Sequence, residues 1–453
     1  MSGYKKFISK REAQNLLESQ SNDFTIINNP DYIYPLYEIV PLAMKLPKPL
    51  KAIKAIVTDM DGTTTTTEEL CIYSLEFMIR KMSGKLESSD WCGIDKIIDY
   101  PHIIGNSTTK HVEYLITRYT DFMQPSEILK SFIYASVWTI LYGEDEKRKE
   151  EVILNLSHFG LNKIITREKI ELLKSDGVLE LNSIANKFSS EAGNKLNLNG
   201  INDFVRIGID IYYQKYHEIL RQISNGESSK VSAKLFDKPD KHLIEPVQGV
   251  FIFLSLVKGW LGDEIKNLVP TLIEEYEKKS HQKFDANIEN VTSKLIELSN
   301  YFVINPVKTA IVTSSIAYEA NIVMTEMIKV VNTEIDNYNL SDEKIKFLKD
   351  KFSNYKNIYD GFITASDSSE IRLKPHRDLY SMALHQLGIA KNEFDQVVGF
   401  EDSESGTIAI RAAGIGMCIA VPFAETSGHN LEAATYICKG GLPEVLLNYN
   451  LFL

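Results

Sequence analysis

The chain is poor in cysteine, in charge of positive sign and in long apolar runs, and each shortage removes a class of protein. Its four cysteines, Cys71, Cys92, Cys418 and Cys438, show no CxxC spacing, so neither a zinc knuckle nor a disulfide framework is expected. A reduced, cytoplasmic setting fits that usage. Basic residues number 50 against 61 acidic, a formal charge of −11, which argues against a general nucleic-acid or anionic-membrane binder. A small anionic substrate stays compatible, because one basic group in a pocket outweighs a distant surface excess. Residues 1–10 carry lysines without an apolar core, so no secretory signal is expected. The greasiest run, Gly249 to Val257, meets Lys258 too early to span a bilayer. No internal repeat is visible. With 453 residues and 44% hydrophobic content, the chain has material for two or three domains with proper cores.

What the chain does have is Ala55-Ile56-Val57-Thr58-Asp59-Met60-Asp61-Gly62-Thr63. A run of β-formers ends in two carboxylates one residue apart. In a strand, residues i and i+2 share a face, so Asp59 and Asp61 look toward one point past the strand end. Crowding two acids there is costly unless a cation or a proton resolves it. An acidic turn after a strand would account for the same residues. The threonine run Thr63–Thr67 is β-branched, which favours an extended, hairpin-like exit.

Around this stretch, the spacing predicts an amphipathic helix at 10–20 with Ser9 as N-cap. Prolines 30, 35, 41, 47 and 49 suggest an extended segment lying against another surface, so 1–50 is taken as an N-terminal extension. Helices are predicted at 68–82, 108–122, 126–142, 145–158, 177–190, 202–223, 262–278 and 285–302, with a polar loop from Ser224 to Asp240. After Asn305-Pro306 an alternation returns: strands at 307–313, 360–364, 396–400 and 417–421, helices from 316, at 376–387 and at 404–413. Strands alternating with helices imply a parallel sheet. The expected fold class is α/β: a Rossmann-like core, 51–67 with 303–453, and an all-α domain, 68–302, inserted after the first strand.

Four pieces of sequence then fall at one end of the sheet. They are Asp59-Met60-Asp61-Gly62-Thr63, Thr313 with Ser314, Lys374 in Arg372-Leu373-Lys374-Pro375-His376-Arg377-Asp378-Leu379-Tyr380, and Gly399-Phe400-Glu401-Asp402-Ser403-Glu404-Ser405-Gly406. Hydroxyls leading into a helix N-terminus suit an anion. Taken singly, these are also an N-cap, a surface lysine and an acidic turn.

The set resembles the four motifs of the haloacid dehalogenase-like (HAD) superfamily, phosphatase and β-phosphoglucomutase-like branch, over about 51–67 and 303–447. The helical insertion stands where that family has a cap domain. The resemblance implies a Mg²⁺-dependent phosphatase acting on a small phosphorylated metabolite through phospho-Asp59. It implies Asp61 as acid/base, Lys374 as a fixed charge, and Gly62, Thr313 and Ser314 as holders of the phosphoryl oxygens. Mg²⁺ would be held by Asp59, the Asp61 carbonyl, Asp402 and Glu401. In the cap, Gly105–Lys110 resembles the family's substrate loop, with Thr108 at the phosphate-holding position and Lys110 beside it. Cys71 falls where the mutases tend to have histidine, so hydrolysis is favoured over a sugar-phosphate mutase. A non-catalytic scaffold using the helical insert is the reading from another class.

Overall fold

The computed structural model describes residues 7–29, 33–103, 108–175, 180–193, 198–239, 241–367, 371–423, 426 and 428–449. The chain divides into two compact units, one of Met1–Thr66 with Ile244–Leu453, the other of Thr67–Leu243.

The first unit opens with α1 (Lys10–Gln20), at the predicted bounds. Ser9 and Glu12 close a reciprocal capping box there, the Ser9 amide donating to Glu12 Oε2 at 2.8 Å. The proline-rich extension then forms an antiparallel hairpin of β1 (Asp23–Asn28) and β2 (Tyr37–Leu42). After it come β3 (Ala55–Thr58) and the two-residue β4 (Thr65–Thr66).

The second unit is helical: α2 (Glu68–Ser83), α3 (Tyr100–Ile103), α4 (Thr108–Arg118), α5 (Pro125–Tyr142), α6 (Glu146–His158), α7 (Arg167–Ser175), α8 (Leu181–Ala192), α9 (Ile201–Ser224) and α10 (Ser228–Phe236). The long α9 forms its centre, packing on α2, α4 and α5. The loop expected over Ser224–Asp240 is instead largely α10. Its serines and lysines disguise a helix that buries Val231 and Ser232 on one side.

On return to the first unit, β5 (Glu245–Pro246) pairs antiparallel with β4. There follow α11 (Val250–Val257), α12 (Ile265–Ser280), α13 (Ile288–Ile304), β6 (Lys308–Val312), α14 (Ala317–Glu334), α15 (Asp342–Lys351) and β7 (Gly361–Ile363). The chain closes with α16 (Asp378–Gln386), β8 (Val397–Glu401), α17 (Glu404–Ala412), β9 (Met417–Ala420), β10 (Tyr436–Ile437) and α18 (Gly441–Glu444). The boundary between units thus lies at Leu243 rather than at 302. Every residue of α11 is buried, and Phe253 meets Phe400 of β8 edge-on, ring centroids 5.0 Å apart. A helix apolar on all sides must be surrounded, and here the surroundings are the sheet unit.

Six strands form one parallel sheet in the order β10-β9-β8-β3-β6-β7. The four residues of β3 are buried, with β6 paired on one side and β8 on the other. A strand covered on both faces reads as a continuous apolar run, which is why 55–58 was visible as one. The parallel arrangement puts the carboxyl ends of β3, β6 and β8 side by side, where open α/β sheets bind ligands. Among the described residues no helix is long and apolar enough to cross a membrane.

Candidate active site

Asp59 follows β3 directly, its amide donating to the Phe400 carbonyl at 3.0 Å. The chain then turns sharply. Gly62 has φ +83°, and its amide donates to Thr65 O at 2.8 Å. A Cβ at Gly62 would stand 2.6 Å from Asp402 Oδ2, so the position needs glycine for both the turn and the close approach. The threonines after it are more compact than a β-branched exit predicts. Thr64 and Thr65 both donate their amides to Met60 O at 2.9 Å, and the Thr64 hydroxyl donates to Asp59 O at 2.6 Å. Thr63, Thr64 and Thr65 are all buried, and the hydroxyls of Thr64 and Thr65, the latter donating to Met60 O at 3.4 Å, help fix the turn that carries both acids.

Lys374 comes from the loop between β7 and α16 and is buried. Its ammonium donates to Asp59 Oδ1, to Glu401 Oε1 at 2.6 Å and to Val312 O at 3.0 Å. Those three acceptors match its three donors and tie the ends of β3, β6 and β8 to one charge. Burial by itself would depress the lysine, but the Asp59 and Glu401 carboxylates outweigh it and hold the ammonium well above its ordinary range. Asp59 is held up, first by burial and then by Glu401, with Lys374 opposing.

Glu401 is saturated. Oε1 also accepts the Tyr380 hydroxyl at 2.9 Å, and Oε2 accepts the Asp402 amide at 3.2 Å, the Ser403 amide at 3.4 Å and the Ser403 hydroxyl at 3.0 Å. A Cβ at Gly406 would fall 1.8 Å from its carboxyl carbon, so the first turn of α17 is shaped around this group.

Ligand oxygens of Asp59, Glu401 and Asp402 lie within 4.8 Å of one another. The donors are hard oxygens, the type that suits Mg²⁺. Three buried carboxylates face one buried ammonium, and a divalent cation cancels the excess negative charge. The residues therefore fit the implied metal. With Glu401 occupied by its own donors, Asp59 and Asp402 are the better placed to hold it.

Of the remaining expected residues, Thr313 is buried just beyond β6, and its hydroxyl accepts the Ser315 amide at 3.0 Å. Ser314 is exposed. The neighbouring Ser315, not singled out from the sequence, sends its hydroxyl to Asp61 Oδ2 at 3.2 Å. Tyr380, on the first turn of α16, and Gly406 close two of the stretches singled out in the sequence, which carried no role for either residue. Thr108 and Lys110 open α4 in the helical unit. Thr108 Oγ1 lies 3.5 Å from the Tyr213 hydroxyl, and Lys110 is exposed. The expected loop residues Gly105, Asn106 and Ser107 lie outside the described residues.

No family model matches the chain, and no curated relative does. Among solved structures, CbbY from Rhodobacter sphaeroides in complex with phosphate is 14% identical, covering 88% of this chain and 99% of that one, at a TM-score of 0.39. The β-phosphoglucomutase of Clostridium difficile is 14% identical over 85% and 90%, at 0.30. A HAD-superfamily hydrolase of subfamily IA, variant 1, from Geobacter sulfurreducens PCA is 12% identical over 87% and 96%, at 0.30.

Proposed function

We propose that this chain, whose sheet unit is haloacid dehalogenase-like in fold, is a Mg²⁺-dependent hydrolase of small phosphate monoesters. The observation that carries the reading is Lys374, buried between Asp59 and Glu401 at adjacent strand ends. A monoester is close to dianionic at neutral pH and Asp59 is itself an anion. At 4 Å two unit charges repel by about 4 kcal/mol at an effective dielectric near 20, and a dianion roughly doubles that. A fixed cation beside the nucleophile lowers that repulsion.

In this mechanism an Asp59 oxygen attacks phosphorus, forming a phosphorus–oxygen bond as the ester bond breaks. Asp61, held by Ser315 at one oxygen, gives its proton to the leaving alkoxide. The same carboxylate then takes a proton from water as the water oxygen attacks phosphorus, which frees Asp59 and inorganic phosphate. The Gly62, Thr64, Thr65 and Ser315 amides are engaged within the fold, which leaves the Ser314 amide, just beyond Thr313, as the candidate donor to the transferring oxygens. A Mg²⁺ held by Asp59 and Asp402 would supply the remaining charge neutralisation. Glu401 keeps Lys374 in place rather than reacting.

The test is turnover of an aryl phosphate with Mg²⁺ by the wild type and Asp59→Asn. Loss of turnover and of acid-stable phosphate labelling in the variant is expected. Robust turnover by Asp59→Asn would sink the mechanism. A panel of phosphorylated sugars, nucleotides and amino acids then names the substrate.

A further inference from the structure

Two helices of the helical unit carry polar residues at helical spacing. On α6 these are Arg148, Glu151 and Asn155, and on α9 they are Arg206, Asp210 and Tyr213, so each set shares one side of its helix. Between the two helices and the start of α4 lies a cleft of about 520 Å³, within the size range of small-molecule sites. Arg148, Glu151, Asn155, Arg206 and Tyr213 all line it. Asp210 is fully buried behind them. It accepts Arg148 Nη2 at one oxygen and the Asn155 side-chain amide at the other, at 2.7 Å. Asn155 Oδ1 in turn accepts Arg206 Nη1 at 2.8 Å, and the Arg148 guanidinium lies over the Tyr213 ring, 4.8 Å from its centroid. With both oxygens of Asp210 occupied, what the cleft offers is donors. Arg206 is exposed, and among the described residues Asn155 is its one acceptor. Arg148 is buried, and its Nε has no acceptor among the described residues. Glu151 is the one acid on the lining. It accepts Arg148 Nη1, yet its side chain is 58% exposed. A pair open to water on that side is worth little, so the carboxylate releases the arginine at small cost.

We propose that this cleft is a second binding site, which takes a small organic oxyanion through Arg148 and Arg206, with Glu151 standing in for the anion until it arrives. The planar donor fork of arginine matches the oxygens of a phosphate or carboxylate group, and two such forks on one cleft select for that chemistry. Asp210 and Asn155 fix both forks from behind, so little order has to be gained on binding. The volume exceeds that of a bare anion, which leaves room for a compact body behind the charged group. The inference does not depend on the reaction at Asp59, and no residue of the cleft belongs to the acidic cluster there.

The experiment titrates the full chain by calorimetry with inorganic phosphate and, separately, with malonate. EDTA is present throughout, so that no divalent ion draws either probe to Asp59. Hydrogen exchange on the same samples locates the binding. At least one probe is expected to bind saturably and to slow exchange in α6 and α9, and the tighter of the two identifies the charged group as phosphate or carboxylate. Arg206→Gln is expected to weaken binding on the order of tenfold, as one charge-assisted contact is lost. Glu151→Gln is expected to tighten it about two- to fivefold, as the competing carboxylate is removed. Both side chains are exposed, and Glu151→Gln carries the test if Arg206→Gln does not fold. Absence of saturable binding of either probe to the wild type overturns the site. Affinity that Arg206→Gln leaves unchanged, or that Glu151→Gln fails to raise, overturns it as well, as does protection confined to other elements.

Discussion

Lys374 and Glu401 meet 2.6 Å apart, nitrogen to oxygen, in a place that water barely reaches, and the same ammonium also serves Asp59. Removing one partner of such a pair leaves an uncompensated buried charge, which costs about 3–5 kcal/mol. Lys374→Met is therefore expected to lower the unfolding midpoint of the chain as well as its turnover. Added Mg²⁺ should return part of the lost stability, because an ion bound only to the folded state raises it by mass action. Thermal unfolding of both proteins, with and without 10 mM-range Mg²⁺ (on the order of many times a typical dissociation constant), reads this directly. A variant as stable as the wild type would show that the pair contributes nothing net.

Asp59 and Glu401, the two carboxylates of this relationship, were legible because each stands at the end of a strand. Ala55–Thr58 shows as an unbroken β-forming run, and Gly399-Phe400-Glu401-Asp402 repeats the pattern. What supports them was not legible. Ser315, Tyr380 and Gly406 matter through contacts made across the fold, and no spacing encodes which carboxylate a hydroxyl will reach. The hairpin β1–β2 escaped because only Ile27, Val40 and Leu42 of it are buried, too few to alternate clearly. The return to the sheet unit at Ile244 was missed for another reason: periodicity reports that α11 is buried but not against what.

Arg411 joins the N-terminal extension to α17. It is fully buried, and its guanidinium donates to Ala43 O at 2.6 Å, Ala433 O at 2.7 Å and Asp23 Oδ2 at 2.7 Å. Ile27, Val40 and Leu42 of the hairpin pack beside it on Ala412. Arg411→Met leaves two carbonyls without their donor, while the half-exposed Asp23 carboxylate returns to water, with an expected loss of about 2–5 kcal/mol. Arg411→Lys recovers less than half, since one ammonium cannot reproduce the planar fork. Urea unfolding midpoints measure both. A midpoint unchanged in Arg411→Met would mean that the extension rests on the core without holding it.

Asp210 is buried in the helical unit, where Arg148 and the Asn155 amide reach its two oxygens, the latter at 2.7 Å. Burial, opposed by Arg148 and Asn155, pushes its carboxyl up to about 6. Its ordinary value in an unfolded chain is near 3.9. The folded state thus binds the proton more tightly than the unfolded one. The stability this adds is fully present below about pH 4 and is lost as pH rises through about 6, a difference of about 2–3 kcal/mol. Asp210→Asn lacks that dependence, so relative to wild type it should gain stability between pH 4 and pH 7. Denaturation midpoints of the two proteins across that range test the sign. A constant difference between them would contradict it.

The order of the strands along the chain has a consequence for synthesis. β3 is the central strand and the first of the six to be made, yet Thr58 meets the Ala310 carbonyl across 252 residues of sequence. At elongation rates of roughly 5–20 residues per second, its first neighbour leaves the ribosome about 10–50 s later. During that interval an apolar strand with two open edges waits while the whole helical unit, Thr67–Leu243, is synthesised before its sheet neighbours. The sheet can therefore close around β3 only after the helical unit has been made, which makes its central pairing a long-range step.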